Sequence, residues 1–264
     1  MGILNAHIMD TGNIGDIFSG PWRYFPELQM QPVEFHQFGK GSMVDGHVVI
    51  GGGGLFHQDE HGVPVDHVIE LRQLLSSTKG MRIGWGLGTM YEDNSLPAPP
   101  NEFKGQWELL GLRDWRGPKY IWVPCASCMH PIFDQKFQTE TRVVVYSHNR
   151  HPIPRGKLPH RMNTCPKNAD YNQVFRETIK FLSMGQVVVT SSFHGAYWAT
   201  LLGRGVVVVP WASKFYTLKH PPVFTTAERW LNEVGNAPVY PGALEECREA
   251  NRSFAATVKE LCSE

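Results

Sequence analysis

Residues 187–215 read VVVTSSFHGAYWATLLGRGVVVVPWASKF. Val187, Val188 and Val189 form a short apolar, β-branched run, the pattern of a strand buried on both faces of a parallel sheet. Three hydroxyl residues, Thr190, Ser191 and Ser192, follow and suit a helix cap. Ala196 to Leu202 then favours helix and ends at Gly203 and Gly205, and Val206 to Val209 begins a second buried strand before Pro210. The unit is strand, turn, helix, strand. It puts His194 and Gly195 in the first helical turn, outside the carboxyl end of a strand, where open α/β sheets bind ligands and free N–H groups attract anions. Ser191, Ser192, Gly195 and His194 are therefore candidate ligand contacts. A histidine packed in the core of a βαβ unit fits the same pattern equally well.

Working outward, the same alternation recurs. His47 to Ile50 is a strand that runs into Gly51, Gly52, Gly53 and Gly54, a loop that a second backbone or a ligand phosphate can approach closely. Its spacing is neither G-x-G-x-x-G nor a P-loop. Val65 to Leu75 is an amphipathic helix, and Met81 to Gly88 is a strand with its own glycines. A polar, proline-rich loop spans Asn94 to Pro100. Leu109 to Leu112 leads into Arg113-Asp114, either a structural ion pair or a charge facing a cleft. Tyr120 to Val123 and Arg142 to Tyr146 are further strands. His148 to Asn168 reads as a loop carrying His151, Arg155, Lys157, His160 and Arg161. Tyr171 to Leu182 and Ala243 to Cys262 are amphipathic helices. Nearer the N-terminus, GNIGDIFSG (Gly12 to Gly20) offers Asn13, Gly15 and Asp16, with Asp16 either a helix cap or a base. The repeated alternation predicts parallel, doubly wound α/β structure. The break between Pro131 and Thr141 divides it into domains 1–137 and 138–264.

The 264 residues carry 25 basic and 25 acidic side chains with no run of either sign, which argues against a nucleic-acid partner. No apolar run reaches the roughly 20 residues of a transmembrane segment, and the N-terminus lacks a signal peptide's pattern, so a cytoplasmic protein is expected. Five cysteines form no disulfide framework. Cys125 and Cys128 make a C-x-x-C without two further ligands at zinc spacing, and no helix start is expected after them for a redox pair. No metal site and no cofactor are expected.

Taken in order, NIGD (Asn13–Asp16), VVIGGGGLF (Val48–Phe56), GLRD (Gly111–Asp114), VPCASCMHPIFD (Val123–Asp134), TSSFHGAYWATLLGR (Thr190–Arg204) and SKF (Ser213–Phe215) resemble the polysaccharide pyruvyl transferase family, especially its exopolysaccharide members of succinoglycan type. The resemblance implies a GT-B-like α/β fold, with two Rossmann-like domains whose parallel sheets face a cleft. The first domain would take the acceptor and the second the donor, and the last helix would cross back to the first. It implies phosphoenolpyruvate as co-substrate and a sugar acceptor, whether nucleotide sugar, lipid-linked glycan or polymer. Many relatives carry Arg two residues before the histidine, where this chain has Ser192, so donor binding would fall to Arg113, Lys214, Lys219 or Arg204, with Lys214 best placed.

The implied chemistry needs a proton delivered to the donor's methylene carbon, a group that takes a hydroxyl proton, and cations for phosphate and carboxylate. His194 and Asp16 are the candidate catalytic groups. The candidate substrate contacts are Asn13, Gly15, Gly52, Gly53, Gly54, Arg113, Ser191, Ser192, Gly195 and Lys214. A helix N-terminus disfavours the His194 imidazolium, whereas a bound dianion favours it. A nucleotide-sugar glycosyltransferase of the same fold and a non-catalytic carbohydrate- or anion-binding relative are the alternatives.

Overall fold

A computed structural model describes residues 2–40, 43–58, 66–91, 105–154, 161–163 and 170–263. It contains two wholly parallel sheets. The first comprises β1 (Ile3–His7), β2 (Gln31–Glu34), β3 (His47–Gln58), β4 (Arg82–Tyr91), β5 (Leu109–Leu112) and β6 (Ile121–Trp122), in the order β2-β1-β3-β4-β5-β6. The second comprises β7 (Thr141–Ser147), β8 (Arg161–Asn163), β9 (Gly185–Thr190), β10 (Gly205–Val208) and β11 (Val223–Phe224), in the order β11-β10-β9-β7-β8. In each sheet the second strand lies outside the first, and the third lies on its other side. The winding therefore reverses between β1 and β3 and again between β7 and β9. Crevices at such reversals are where open α/β sheets take ligands.

The valine runs explain the second sheet. Val187, Val188 and Val189 of β9 pair with Val143, Val144 and Val145 of β7, while Val206, Val207 and Val208 of β10 flank β9 on its other side. Covered on both faces, such strands need continuous apolar sequence. The helix between them, α4 (Phe193–Leu201), is buried along its whole length, so its sequence carries no polar stripe. By contrast α3 (Tyr171–Met184) is amphipathic. Asp170 caps it by accepting from the amides of Asn172 and Gln173, and it buries Phe175, Ile179 and Leu182.

The C-terminal helix α6 (Ala243–Ser263) lies across both halves. Its Cys247 joins the core around α4, while Phe254, Ala255 and Val258 pack with Val49, Ile83, Trp85 and Val123 of the first half. Phe254 meets Trp85 edge-on at 5.0 Å, and Asn251 Oδ1 accepts from Trp85 Nε1 at 2.8 Å. Burying a phenylalanine contributes about 1.5–3 kcal/mol, so α6 is a structural strap. Among the described residues no helix is long and apolar enough to cross a membrane.

Several expectations need correction. The four glycines 51–54 are not a loop: β3 continues through them to Gln58. Gly52 and Gly53 have φ of +78° and +110°, which only glycine adopts readily, and the ladder to β4 shifts register between Gly53 and Phe56. The loop expected over 148–168 contains β8, which pairs with β7. Strands β1 and β2 have no counterpart among the strands expected from the sequence. The proline-rich loop 94–100 lies outside the described residues, as do Val65, Arg155, Lys157 and His160.

Candidate functional site

The carboxyl ends of the two sheets meet, and the charged residues that follow them converge. Arg113 comes first. Its amide continues the sheet by donating to Leu87 O at 2.9 Å, and its side chain then crosses the backbone at two glycines. A Cβ on Gly88 would lie 2.0 Å from Arg113 Nε, and one on Gly54 would lie 3.1 Å from its Nη2. The ring of Phe193 covers the guanidinium from the other sheet at 4.3 Å. Only 5% of the side chain is exposed, and Nε is buried without a hydrogen-bond partner among the described residues. The nearest carboxylate oxygen, on Asp114, is 4.0 Å from Nε. Asp114 is itself engaged by Thr89 N at 2.8 Å, Thr89 Oγ1 at 2.6 Å and Thr217 Oγ1 at 2.9 Å. Burial therefore pushes the Arg113 pKa down, with Asp114 opposing it. A cation held this way is short of an anion.

Lys214 arrives from the opposite sheet on a 3₁₀ turn (Ser213–Phe215) that follows β10. Two bonds fix that turn against the first sheet, Tyr91 N to Ser213 Oγ at 2.9 Å and Trp115 N to Thr217 O at 2.8 Å. Lys214 Nζ lies 4.0 Å from the centre of the Trp211 ring and 3.4 Å from Met90 Sδ, a weak acceptor. Burial lowers its pKa to about 7, Arg113 adds to the lowering, and Asp16 opposes it.

Asp16 belongs to α1 (Ile14–Ile17), between β1 and β2. It is not the helix cap. That position is taken by Asn13, whose Oδ1 accepts from Gly15 N at 3.1 Å while its Nδ2 donates to Asp16 Oδ2 at 2.7 Å. Asn13 thus caps the helix and orients the carboxylate. Burial raises the Asp16 pKa to about 6, against the lowering influence of Lys214. Asp16 and Lys214 keep part of their surface open, whereas Arg113 and His194 are buried behind them.

His194 sits in the first turn of α4, whose cap is Ser192, with Gly195 N donating to Ser192 Oγ at 3.2 Å. Gly15 approaches so closely that a Cβ there would fall 1.9 Å from His194 Nδ1. On the other side Nε2 is 3.6 Å from Cys125 Sγ. Burial, then Arg113, then Lys214 lower the His194 pKa to about 3. Without an anion present the imidazole is neutral.

The structure thus gathers Asn13, Gly15, Asp16, Gly54, Arg113, His194 and Lys214. Most of the remaining candidates do structural work. Ser191 Oγ accepts from His148 N at 3.0 Å and donates to the carbonyl of His151 at 2.5 Å. Ser192 is the helix cap. A Cβ on Gly195 would meet Tyr146 Cδ1 at 2.5 Å, and one on Gly52 would meet Ser19 Oγ at 2.2 Å, so both permit close packing. Gly53 faces open space. Lys219 is paired with Glu246 at 2.6 Å beside the hollow that Arg113 lines, and Arg204 donates to Phe137 O at 3.1 Å.

Some contributors escaped the sequence reading. In the sequence Cys125 stands out only as half of a C-x-x-C, yet it touches His194. A 3₁₀ helix (Ala126–Met129) does follow it, contrary to expectation. Burial raises both thiols, Cys128 to about 12, which keeps them protonated. Phe193, Trp211 and Met90 are apolar neighbours of cations that charge patterns do not flag. Arg113 and Phe193 also line a small hollow, open to solvent, together with Trp122, Cys125, Tyr197, Lys219 and His220.

No family model matches the chain, and no curated protein matches it. Among solved structures it is similar to an uncharacterized protein of Klebsiella pneumoniae subsp. pneumoniae NTUH-K2044, at 15% identity and a TM-score of 0.52, over 85% of this chain and 92% of that one. That likeness speaks to the fold alone: mixed α/β and Rossmann-like.

Proposed function

We propose that the protein transfers a pyruvyl ketal from phosphoenolpyruvate to a sugar of a polysaccharide or its precursor, in a GT-B-type arrangement with the two sheets flanking the cleft. The observation that carries this reading is the buried, partner-poor guanidinium of Arg113, facing Lys214, His194 and Asp16 across the junction of the sheets. An anion with two charged groups suits two such cations: burial depresses both, Arg113 depresses Lys214 further, and a bound anion opposes these effects. The four side chains come from the NIGD, GLRD, SSFHG and SKF segments, the ones that carry the family resemblance.

In this mechanism Arg113 and Lys214 hold the donor's phosphate and carboxylate. The dianion raises the His194 pKa, so the imidazole gains a proton and delivers it to the methylene carbon, which becomes the methyl group. A sugar hydroxyl attacks the resulting cationic carbon, and the Asp16 carboxylate takes its proton. A second hydroxyl then displaces phosphate, and its proton leaves with that group. Two hydroxyl protons are released in all, one balancing the new C–H bond and one the phosphate. Ser192, at the position of the usual arginine, stays a helix cap.

The test is incubation with phosphoenolpyruvate and a panel of nucleotide sugars and lipid-linked glycans, read by phosphate release and mass spectrometry of the acceptor. Acceptor-dependent phosphate release with a ketal adduct is the expected result. Lys214→Ala should chiefly raise the donor KM, while His194→Gln should lower kcat by about 10²- to 10⁴-fold. Glycosyl transfer from a nucleotide sugar without phosphoenolpyruvate would replace this reading with the glycosyltransferase one. Donor binding without turnover on any acceptor would favour an anion-binding protein.

A further inference from the structure

A second group of ligating side chains lies apart from the cluster just described. Helix α2 (Asp66–Ser77) carries His67 and Glu70, and the i, i+3 spacing puts them on one face. His36 reaches the same point from a 3₁₀ helix (Phe35–Lys40) that follows edge strand β2. His36 Nδ1 is 2.7 Å from Glu70 Oε2, and His67 Nδ1 is 4.0 Å from the same oxygen. One ligand atom from each of the three residues lies within 4.8 Å of the others. The two imidazole rings are 5.0 Å apart between centres.

We propose that His36, His67 and Glu70 form a binding site for a divalent transition-metal ion of the zinc class, distinct from the pyruvyl-transfer site. The donor set selects the ion: imidazole nitrogen suits zinc, cobalt and nickel, whereas magnesium and calcium prefer oxygen alone. Two histidines and one glutamate are a known zinc ligand set that leaves one position open. Ligand atoms about 2.0–2.1 Å from a tetrahedral ion stand about 3.3 Å from one another. The 2.7 and 4.0 Å separations straddle that value and the third lies within 4.8 Å, so side-chain shifts of at most about 1.5 Å complete the geometry. All three side chains are partly exposed, at 41%, 32% and 20% for His36, His67 and Glu70, which gives the ion a path in and the open position to water. The bound ion would clamp the segment after β2 to the first turn of α2. None of the three residues belongs to the mechanism above, so either proposal can fail without the other.

The full-length protein, stripped with a chelator and dialysed, is titrated with ZnCl₂ by calorimetry and with CoCl₂ by visible absorption. One ion per chain should bind. The cobalt spectrum should show tetrahedral d–d bands without a thiolate charge-transfer band, which separates this site from the cysteines. Zinc should raise the melting temperature of the wild type. Changing an outer-shell partner alone costs about 10- to 100-fold in metal affinity, so His67→Ala and Glu70→Gln should each lose about 100-fold or more and lose the zinc-induced thermal shift. His36→Gln, at the most exposed of the three positions, guards against loss of fold as the cause. The absence of stoichiometric binding, a thiolate band, or undiminished affinity in these variants would each overturn the proposal.

Discussion

Gly15→Ala should destabilise the protein even though it replaces the poorer helix former by the best. In α1 the exchange gains up to about 1 kcal/mol of helix propensity. The new Cβ, however, would fall 1.9, 2.4 and 2.5 Å from Nδ1, Cγ and Cε1 of His194, where ordinary contact begins at 3.4 Å. One side must move by about 1.5 Å, a distance at which overpacking costs about 1–3 kcal/mol or more. The imidazole has little room to yield. Trp198 lies 5.2 Å and Phe193 5.5 Å from it between ring centres, and Cys125 Sγ is 3.6 Å from Nε2. The helix is held as well, since Phe18 at its end stacks on Phe175 at 4.1 Å. In a His194→Ala background the obstacle is gone, and the same exchange should be neutral or stabilising by a few tenths of a kcal/mol to about 1. The assay is urea unfolding of the four proteins of this cycle at pH 7, comparing midpoints at constant slope. A coupling energy of about 1–3 kcal/mol with a change of sign is expected for residues in contact. An equal effect of Gly15→Ala in both backgrounds would refute the packing of α1 against His194.

Two further outcomes follow from the same geometry. Asp16 must be ionised to accept a proton, which holds above its pKa of about 6, and Lys214 must be protonated to hold an anion, which holds below about 7. His194, neutral in the free enzyme above about 3, must also take up a proton as donor binds, so kcat/KM should be level below about pH 6, fall above it and fall more steeply above about 7; Lys214→Arg should abolish the second break, and a flat profile from pH 5 to 9 would remove both residues from the reaction. Asn251→Ala deprives the buried Trp85 Nε1 of its acceptor and the carbonyls of Pro124 and Cys247 of a donor, so thermal and urea unfolding should show a loss of about 2–4 kcal/mol, with wild-type stability counting against α6 as a strap.

The sequence alone determined the fold class, because strands buried on both faces and helices with one buried stripe write their periods into the chain. The valine runs of β7, β9 and β10 and the stripes of α3 and α6 could hardly be read otherwise. Strand β1 escaped because its core-facing residues include Asn5 and His7, and a buried Asn5 is tolerable only because its Nδ2 donates to Val49 O at 3.0 Å, a partner 44 residues away. Edge strand β2 escaped because solvent on one side leaves Gln31 and Pro32 without an apolar signature. Arg113 and His194 were legible as residues beyond strand ends, where ligands bind in such sheets. Which candidates touch one another was a tertiary matter. Local sequence favoured Asp16 as a cap, and only the bond from Asn13 Nδ2 turned its carboxylate over to the cluster. The spacing of His67 and Glu70 on one helical turn stood in the sequence, but nothing there joined them to His36, 31 residues earlier on another element. A strand or helix period repeats every few residues and survives in the sequence. A site built from side chains up to two hundred residues apart is set by how the sheets pack, and the chain carries no local record of that.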